Sequence, residues 1–219
     1  GLMAYGDFTL DQLIEQFDLT FQESSGLFSS VPGVEASDFL KMTLAEGLDL
    51  AVALSTEKAR SELVIMPVML ELRRKFKSEI SLFSGVDFTV SPELGLNGIC
   101  DYLVSRTPEQ LLVRSPVIML VEAKNENLKI GFPQCIAEMV AAQQFNQHKG
   151  NPIESIYGIV TIGTLWRFLR LRGSVVEIDL TEYYIENIDK ILGILVMAIS
   201  GKSLAKPLRK AASNEMEHK

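Results

Sequence analysis

Three charged side chains that interrupt two apolar strands are the residues of this sequence best suited to chemistry. The tripeptide Glu122-Ala123-Lys124 ends an uncharged apolar run, and the alternation of side chains along a strand places Glu122 and Lys124 on one face. Asp101 is the one charged residue of the preceding predicted strand, over residues 99–105. Polar exceptions in buried strands are where a functional site is expected.

Asp101 and Glu122 would form an oxygen-rich pocket if the fold brings them together. Two adjacent carboxylates repel each other unless a hard divalent cation such as Mg²⁺ or Mn²⁺ neutralises them. Lys124 beside such a cation would orient a water or help to deprotonate it, and the cation would stabilise the charge that develops when the water attacks a phosphodiester. The alternative for Glu122 and Lys124 is a plain ion pair at the end of a strand.

The chain lacks the residues that other common catalytic mechanisms require. The two histidines, His148 and His218, are isolated, and no Gly-x-Ser-x-Gly motif is present, which argues against a histidine-activated nucleophile. The two cysteines, Cys100 and Cys135, are 35 positions apart and lack the spacing of a zinc site. Carboxylates and a lysine therefore remain as the candidate chemical groups.

The elements that must position these residues follow from hydrophobic periodicity and from turn residues. The run around Val117–Val121 is apolar on both faces, which is typical of a central, covered strand. The sequence predicts strands over residues 80–90, 99–105, 116–124, 156–162, 165–172 and 175–180, with helices over residues 132–147 and 183–200. This order predicts an α/β (α+β) fold with one mixed sheet and helices on its faces.

The N-terminal part of the chain predicts short helices. Residues 9–17 and 37–46 have helical patterns, with Thr9 and Ser37 as caps and Gly47 as a stop signal. Residues 22–33 are rich in Ser, Gly and Pro and predict a loop, whereas residues 48–54 alternate in a way that weakly indicates a strand.

A longer helix is predicted over residues 56–77, with Pro67 as a kink or as the start of a second segment. Glu62 leads an apolar stripe on this helix, and a buried carboxylate needs a partner. The alternative is that Glu62 is solvated, or paired with Lys58 or Arg60.

These residues and their order resemble the PD-(D/E)XK nuclease superfamily, which has the restriction-endonuclease-like fold. The match comprises Glu62 in a first helix, Asp101 on the second strand, Glu122-Ala123-Lys124 on the third and Gln134 in the following helix. The strand pair around Trp166 completes it, so that the resemblance covers about residues 55–180. Cys100 stands where the motif has its proline.

The resemblance implies a three-layer core in the order αβββαβ and a role for each matching residue. Asp101, Glu122 and the backbone carbonyl of Ala123 would bind Mg²⁺ or Mn²⁺, and Glu62 would bind it directly or through water. Lys124 would hold the attacking water or stabilise the transition state. Gln134 would shape the site near the scissile phosphate. The activity implied is endonuclease-type hydrolysis of nucleic acid, with DNA as the preferred substrate.

The distribution of charge bears on partners and on domain organisation. The net charge of −7 argues against a protein that coats nucleic acid non-specifically. Residues 1–57 carry −9, whereas the rest of the chain carries +2. We expect an acidic N-terminal helical arm packed on the core (residues 1–54), a nuclease-like domain (residues 55–202) and a tail (residues 203–219).

An alternative function is a non-catalytic module that binds nucleic acid or protein on the nuclease fold, because fold alone does not fix function. A cytoplasmic location without membrane insertion is expected from the low cysteine count and the shortness of the longest aliphatic run. The apolar helix around residues 188–199 raises the hypothesis of a homodimer, with burial of the same stripe in the core as the alternative.

Overall fold

The computed structural model describes residues 3–201, so the predicted tail over residues 203–219 lies outside the described residues. The α-helices are α1 (Leu10–Phe17), α2 (Asp38–Leu54), α3 (Glu57–Arg60), α4 (Met66–Phe76), α5 (Gly131–His148) and α6 (Ile188–Ser200). The strands are β1 (Thr20–Ser24), β2 (Ser81–Asp87), β3 (Ile99–Ser105), β4 (Val117–Ala123), β5 (Ile156–Thr161), β6 (Leu165–Arg172), β7 (Val175–Asp179) and β8 (Tyr183–Tyr184).

The eight strands within residues 3–201 form one mixed sheet in the order β1-β7-β6-β5-β4-β3-β2, with the short β8 paired to β6. The pairs β4–β5 and β1–β7 are parallel, and the other pairs are antiparallel. The parallel step from β4 to β5 is made through α5, as such a crossover requires. The predicted mixed α/β fold, with helices flanking one mixed sheet, is confirmed.

Helices cover both faces of the sheet and enclose a separate apolar core on each side. On one face α5 packs on the central strands together with residues of α1 and of the N-terminal segment. On the other face α2, α4 and α6 supply the buried side chains. The central strand β4 is buried along its whole length, as its uncharged sequence predicts.

The apolar stripe of α6 lies in this second core. Four of its large apolar side chains, Ile191, Leu192, Ile194 and Leu195, are fully buried by the chain itself. The alternative of burial in the core therefore accounts for this stripe, and the homodimer remains an untested hypothesis.

The prediction that a helix ends at Gly47 and a strand follows over residues 48–54 is wrong. Helix α2 continues to Leu54, with Ser37 as its N-cap as predicted. Gly47 is buried in the middle of α2, where an added Cβ would lie 2.8 Å from the carbonyl oxygen of Leu63. The glycine therefore permits close helix packing and does not terminate the helix.

Leu63 belongs to a π-helical turn, Ser61–Ile65, between α3 and α4. Pro67 lies at the start of α4 and has no amide hydrogen to donate to the Leu63 carbonyl. The expected helix over residues 56–77 thus forms, and its proline coincides with the start of a second segment, one of the two outcomes predicted.

Two further predictions of secondary structure need correction. Residues 22–24, assigned to a loop, belong to β1, which pairs in parallel with β7 at the edge of the sheet. The last helix begins at Ile188 and not at residue 183, because Tyr183 and Tyr184 form β8 against β6. Both short strands are specified by pairing with distant residues, which a local pattern does not show.

Helix α6 depends on a close approach that a single methyl group would prevent. A Cβ added at Gly193 would lie 2.1 Å from the carbonyl oxygen of Pro32. We expect Gly193→Ala to lower the free energy of unfolding by about 2 kcal/mol through overpacking. Chemical denaturation should show this loss, whereas Ser200→Ala at the exposed end of the same helix should show little change.

Candidate functional site

The predicted site residues meet where β3 begins and β4 ends. The β3–β4 ladder runs through the pair Tyr102–Val121. Beyond that pair, the Asp101 side chain takes the place of a backbone acceptor, because its Oδ2 accepts a hydrogen bond from the Ala123 amide at 2.8 Å. This bond fixes a half-buried carboxylate against the residue between Glu122 and Lys124.

Glu122 and Lys124 form an ion pair with 2.6 Å between Glu122 Oε1 and Lys124 Nζ. The Glu122 side chain is only 2% exposed, and that of Lys124 is 20% exposed. Glu122 Oε2 is also buried and has no hydrogen-bond partner among residues 3–201. A buried anionic oxygen without a partner is costly, so this atom points to a missing ligand or proton.

Lys124 is held in place by its backbone and by its aliphatic chain. Its amide donates to the Thr161 carbonyl at 2.9 Å, next to the parallel ladder between β4 and β5. Gly131 at the start of α5 lies against the lysine stem, since an added Cβ there would be 3.2 Å from Lys124 Cγ. The sheet and α5 therefore position the ammonium group between them.

Burial, and for Glu122 also the nearby Asp101 charge, makes these carboxyl groups weak acids. Burial, followed by the Asp101 charge, raises the pKa of Glu122 to about 8 despite the ion pair with Lys124. Burial also raises the pKa of Asp101, against the opposing hydrogen bond from Ala123. Burial lowers the pKa of Lys124, but the bond to Glu122 outweighs this effect and the net pKa is raised. Lys124 therefore stays an ammonium at neutral pH.

A third carboxyl group, Glu138 on α5, joins this environment. It is fully buried, and burial followed by the Glu122 charge raises its pKa far above the ordinary value. Gln134 Nε2 donates to Glu138 Oε1 at 3.3 Å, while Glu138 Oε2 has no partner among the described residues. Gln134 is thus engaged with this acid one helical turn away.

Glu62 lies at the mouth of the site and not among the buried acids. Its carboxylate pairs with Lys58 at 2.7 Å, and its side chain is 61% exposed, which is the alternative predicted for it. It nevertheless lines a cleft of about 400 Å³ together with Glu57, Asp101 and Ala123. The cleft opens the Asp101 side of the site to solvent.

The oxygen atoms at this site are of the kind that binds a hard divalent cation. Asp101 and Glu122 Oε2, which has no partner in the described part of the chain, supply carboxylate oxygen, the donor that Mg²⁺ and Mn²⁺ prefer. Within residues 3–201, however, no three His, Cys, Asp or Glu side chains converge as a metal-binding group. Any cation would therefore depend on two carboxylates, backbone oxygen and water.

Other residues singled out by type are structural. Trp166 is fully buried, and its indole nitrogen donates to the Gly163 carbonyl at 2.8 Å, so it packs in the core and does not stack on a ligand. Cys100 and Cys135 are buried free thiols, as expected.

Sequence reasoning did not assign a role to Glu57 or Glu138. Glu57 lines the cleft, and its charge contributes to the raised pKa values of Glu122 and Lys124. Glu138 carried a usable signal, because it is an acid flanked on both sides by apolar residues within a helix.

We expect Glu62→Gln to leave the melting temperature unchanged, because an exposed ion pair contributes little to stability. The same variant should weaken Mn²⁺ binding less than Glu122→Gln does, since Glu62 can reach a bound cation only from the solvent side. Thermal denaturation and calorimetric Mn²⁺ titration measure the two effects. A larger loss of Mn²⁺ affinity in Glu62→Gln than in Glu122→Gln would contradict this assignment.

Comparisons with protein-family models, with curated proteins and with solved structures found no match for this chain. None of the helices within residues 3–201 combines the length and the apolar character needed to cross a lipid bilayer. The function therefore has to be inferred from the geometry of the chain's own residues.

Proposed function

We propose that this protein is a metal-dependent nuclease with a restriction-endonuclease-like fold, which hydrolyses phosphodiester bonds and prefers DNA. The observation that carries the proposal is the buried carboxylate of Glu122, paired with Lys124 through one oxygen and, within residues 3–201, without a partner on the other. The observed order α4-β2-β3-β4-α5-β5 is also the order that the nuclease resemblance implies.

Asp101, Glu122 and the Ala123 carbonyl are the groups that would hold Mg²⁺ or Mn²⁺, with Glu62 reaching it through water. A bound cation supplies Lewis-acid stabilisation of the charge on the attacked phosphate and lowers the pKa of a bound water. The Ala123 amide keeps the Asp101 carboxylate in one orientation.

Lys124 supplies the positive charge of the site. Because the bond to Glu122 raises its pKa, the ammonium is a hydrogen-bond donor to the attacking water or to a phosphate oxygen, and not a base. Glu138 and Gln134 support the site from α5: Gln134 donates a hydrogen bond to one oxygen of Glu138, whose pKa the Glu122 charge helps to raise.

The alternative is a non-catalytic binding module on the same fold. It is favoured by the closed ion pairs Lys58–Glu62 and Glu122–Lys124, which satisfy much of the charge without a cation. A module of this kind would show neither divalent-cation binding at Asp101 and Glu122 nor cleavage.

A cleavage assay tests the proposal. Supercoiled plasmid, duplex and single-stranded DNA oligonucleotides, and RNA of the same sequence should be incubated with the protein in millimolar Mg²⁺ or Mn²⁺, with and without chelator. We expect cation-dependent cleavage of DNA that Asp101→Asn and Glu122→Gln abolish and that Glu126→Gln, at an exposed position three residues beyond Ala123, retains. Asparagine at position 101 keeps an acceptor for the Ala123 amide, so the fold should survive. Cleavage that persists in both site variants would overturn the proposal.

A further inference from the structure

A second polar cavity lies at the opposite end of the central strands from the candidate site. Arg106 follows β3, and its amide donates to the Pro116 carbonyl just before β4 begins. Ser155 and Tyr157 lie at the start of β5, and Arg170 pairs with Tyr157 across the sheet. Since β4 has seven residues, the two ends are about 20 Å apart.

Three arginines line this cavity of about 190 Å³: Arg106, Arg170 and Arg172. Arg170 is 6% exposed and donates to both carboxylate oxygens of Glu177, to which Arg172 also donates. Glu154 lines the cavity as well, with 3.9 Å between its Oε1 and Arg172 Nη1. Three guanidinium groups thus face two carboxylates, which leaves one positive charge.

Arg106 accounts for the excess charge. Its Nε and Nη2 both donate to the Ile199 carbonyl at the end of α6, at 3.2 and 2.8 Å, and no ion pair joins it to an acid among residues 3–201. The C-terminal end of a helix favours a cation and so fixes the guanidinium in place. Among residues 3–201 the other amino hydrogens of Arg106 have no acceptor and can bind a ligand.

Tyr157 adds a neutral donor. Its side chain is only 6% exposed, and among the described residues its hydroxyl donates only to the Met197 sulfur, at 3.7 Å. A thioether is a weak acceptor, so the hydroxyl hydrogen is available to a better one. An enclosed polar wall that offers donors in excess of acceptors is suited to an oxyanion.

We propose that this cavity binds a phosphate group, held by Arg106 and Arg172 with the Tyr157 hydroxyl as a third donor. Guanidinium groups match the oxygens of phosphate in geometry and charge. The volume corresponds to about six waters at about 30 Å³ each, which suits a phosphate group but is smaller than the pockets of whole nucleotides. The site is independent of the proposed nuclease activity.

Calorimetric titration of the chelator-treated full chain with inorganic phosphate, in low-salt chloride buffer, tests the proposal. We expect saturable binding that Arg106→Gln weakens at least tenfold and Tyr157→Phe about threefold. Glutamine keeps a donor for the Ile199 carbonyl, and phenylalanine keeps the ring volume, so thermal denaturation should show both variants folded. Arg114→Gln, an exposed arginine near β4, is the matched charge control and should bind phosphate like the wild type.

The two sources of such a phosphate are separated by competition. A 5′-phosphorylated tetranucleotide that displaces inorganic phosphate, when its 5′-hydroxyl counterpart does not, assigns the cavity to a nucleic-acid end. Binding of inorganic phosphate without displacement assigns it to a small phosphate compound. Absence of saturable binding by the wild type, or equal affinity in wild type and Arg106→Gln, would overturn the proposal. Asp101→Asn should bind phosphate normally, which separates this site from the candidate nuclease site.

Discussion

Lys124→Met is expected to reduce Mg²⁺-dependent cleavage of DNA by about a thousandfold while it leaves Mn²⁺ binding in place. Methionine keeps the unbranched length of the lysine but removes the ammonium that lies 2.6 Å from Glu122 Oε1. Loss of one positioned charge or proton donor in an active site typically costs about 10²–10⁴ in rate. Single-turnover cleavage at saturating Mg²⁺ measures the effect.

The control for this variant is Lys129→Met, because Lys129 is exposed near the start of α5 and forms no ion pair among the described residues. It should cleave at the wild-type rate. If Lys124→Met cleaves like wild type, Lys124 has no part in the reaction, and its contact with Glu122 is only a structural ion pair.

The second large effect concerns stability and pH. In the absence of divalent cations, the free energy of unfolding of the wild type should fall as the pH rises from 5 to 8.5. Because the pKa of Glu122 is raised from 4.5 to about 8, the folded state holds a proton over this range that the unfolded state has released. By proton linkage the stability that this group contributes is therefore lost progressively as the pH rises through this range.

The other shifted carboxyl groups do not reverse the sign. Burial also raises the pKa values of Asp101 and Glu138, which act in the same direction. Although burial opposes it, hydrogen bonds lower the pKa values of Glu71 and Glu177, so the stability that these two provide is lost only below about pH 4.5.

Urea denaturation at a series of pH values, in the presence of chelator, measures this slope. Glu122→Gln removes the titrating group and should be more stable than the wild type at pH 8.5, whereas Glu126→Gln should follow the wild type. Added Mn²⁺ should restore stability to the wild type at pH 8.5 and have little effect on Glu122→Gln. Wild-type stability that is flat or rises between pH 5 and 8.5 would show that Glu122 is ionised without penalty in the folded state.

Much of the central sheet is predictable from local sequence. Strand β3 has the predicted bounds of residues 99–105, and β4 and α5 deviate from prediction by one residue at each end. These elements have strong apolar patterns and clear turn residues, so burial and local preference agree.

The N-terminal part was less predictable because long-range contacts decide its structure. Glycine is a common signal for the end of a helix. A Cβ added at Gly47, however, would lie 2.8 Å from the Leu63 carbonyl oxygen, so this glycine serves packing in the interior of α2. Strand β1 exists because β7 offers an edge 155 residues later in the sequence, with Thr20 opposite Val175. Neither contact has a local signature.

For the candidate site, the sequence predicted the residue types and their order along the chain, but not the burial and the neighbours of each side chain. It placed Asp101, Glu122 and Lys124 at adjoining strand ends, where the structure brings them together. It did not show that Glu138 would be buried against them, because α5 is apolar on most sides and its register on the sheet is set by packing. It left two alternatives for Glu62: the structure shows the ion pair with Lys58, while the residue also lines the cleft beside Asp101.

Calorimetric titration with Mn²⁺ tests the central claim most directly, because it needs no knowledge of the substrate. The wild type should be compared with the double variant Asp101→Asn, Glu122→Gln, and with Glu126→Gln as the charge control, at a pH above 8 where Glu122 is ionised. We expect saturable binding in the wild type and the control, and its loss in the double variant. Absence of binding by the wild type up to millimolar Mn²⁺, or equal binding by the double variant, would contradict a cation site at Asp101 and Glu122.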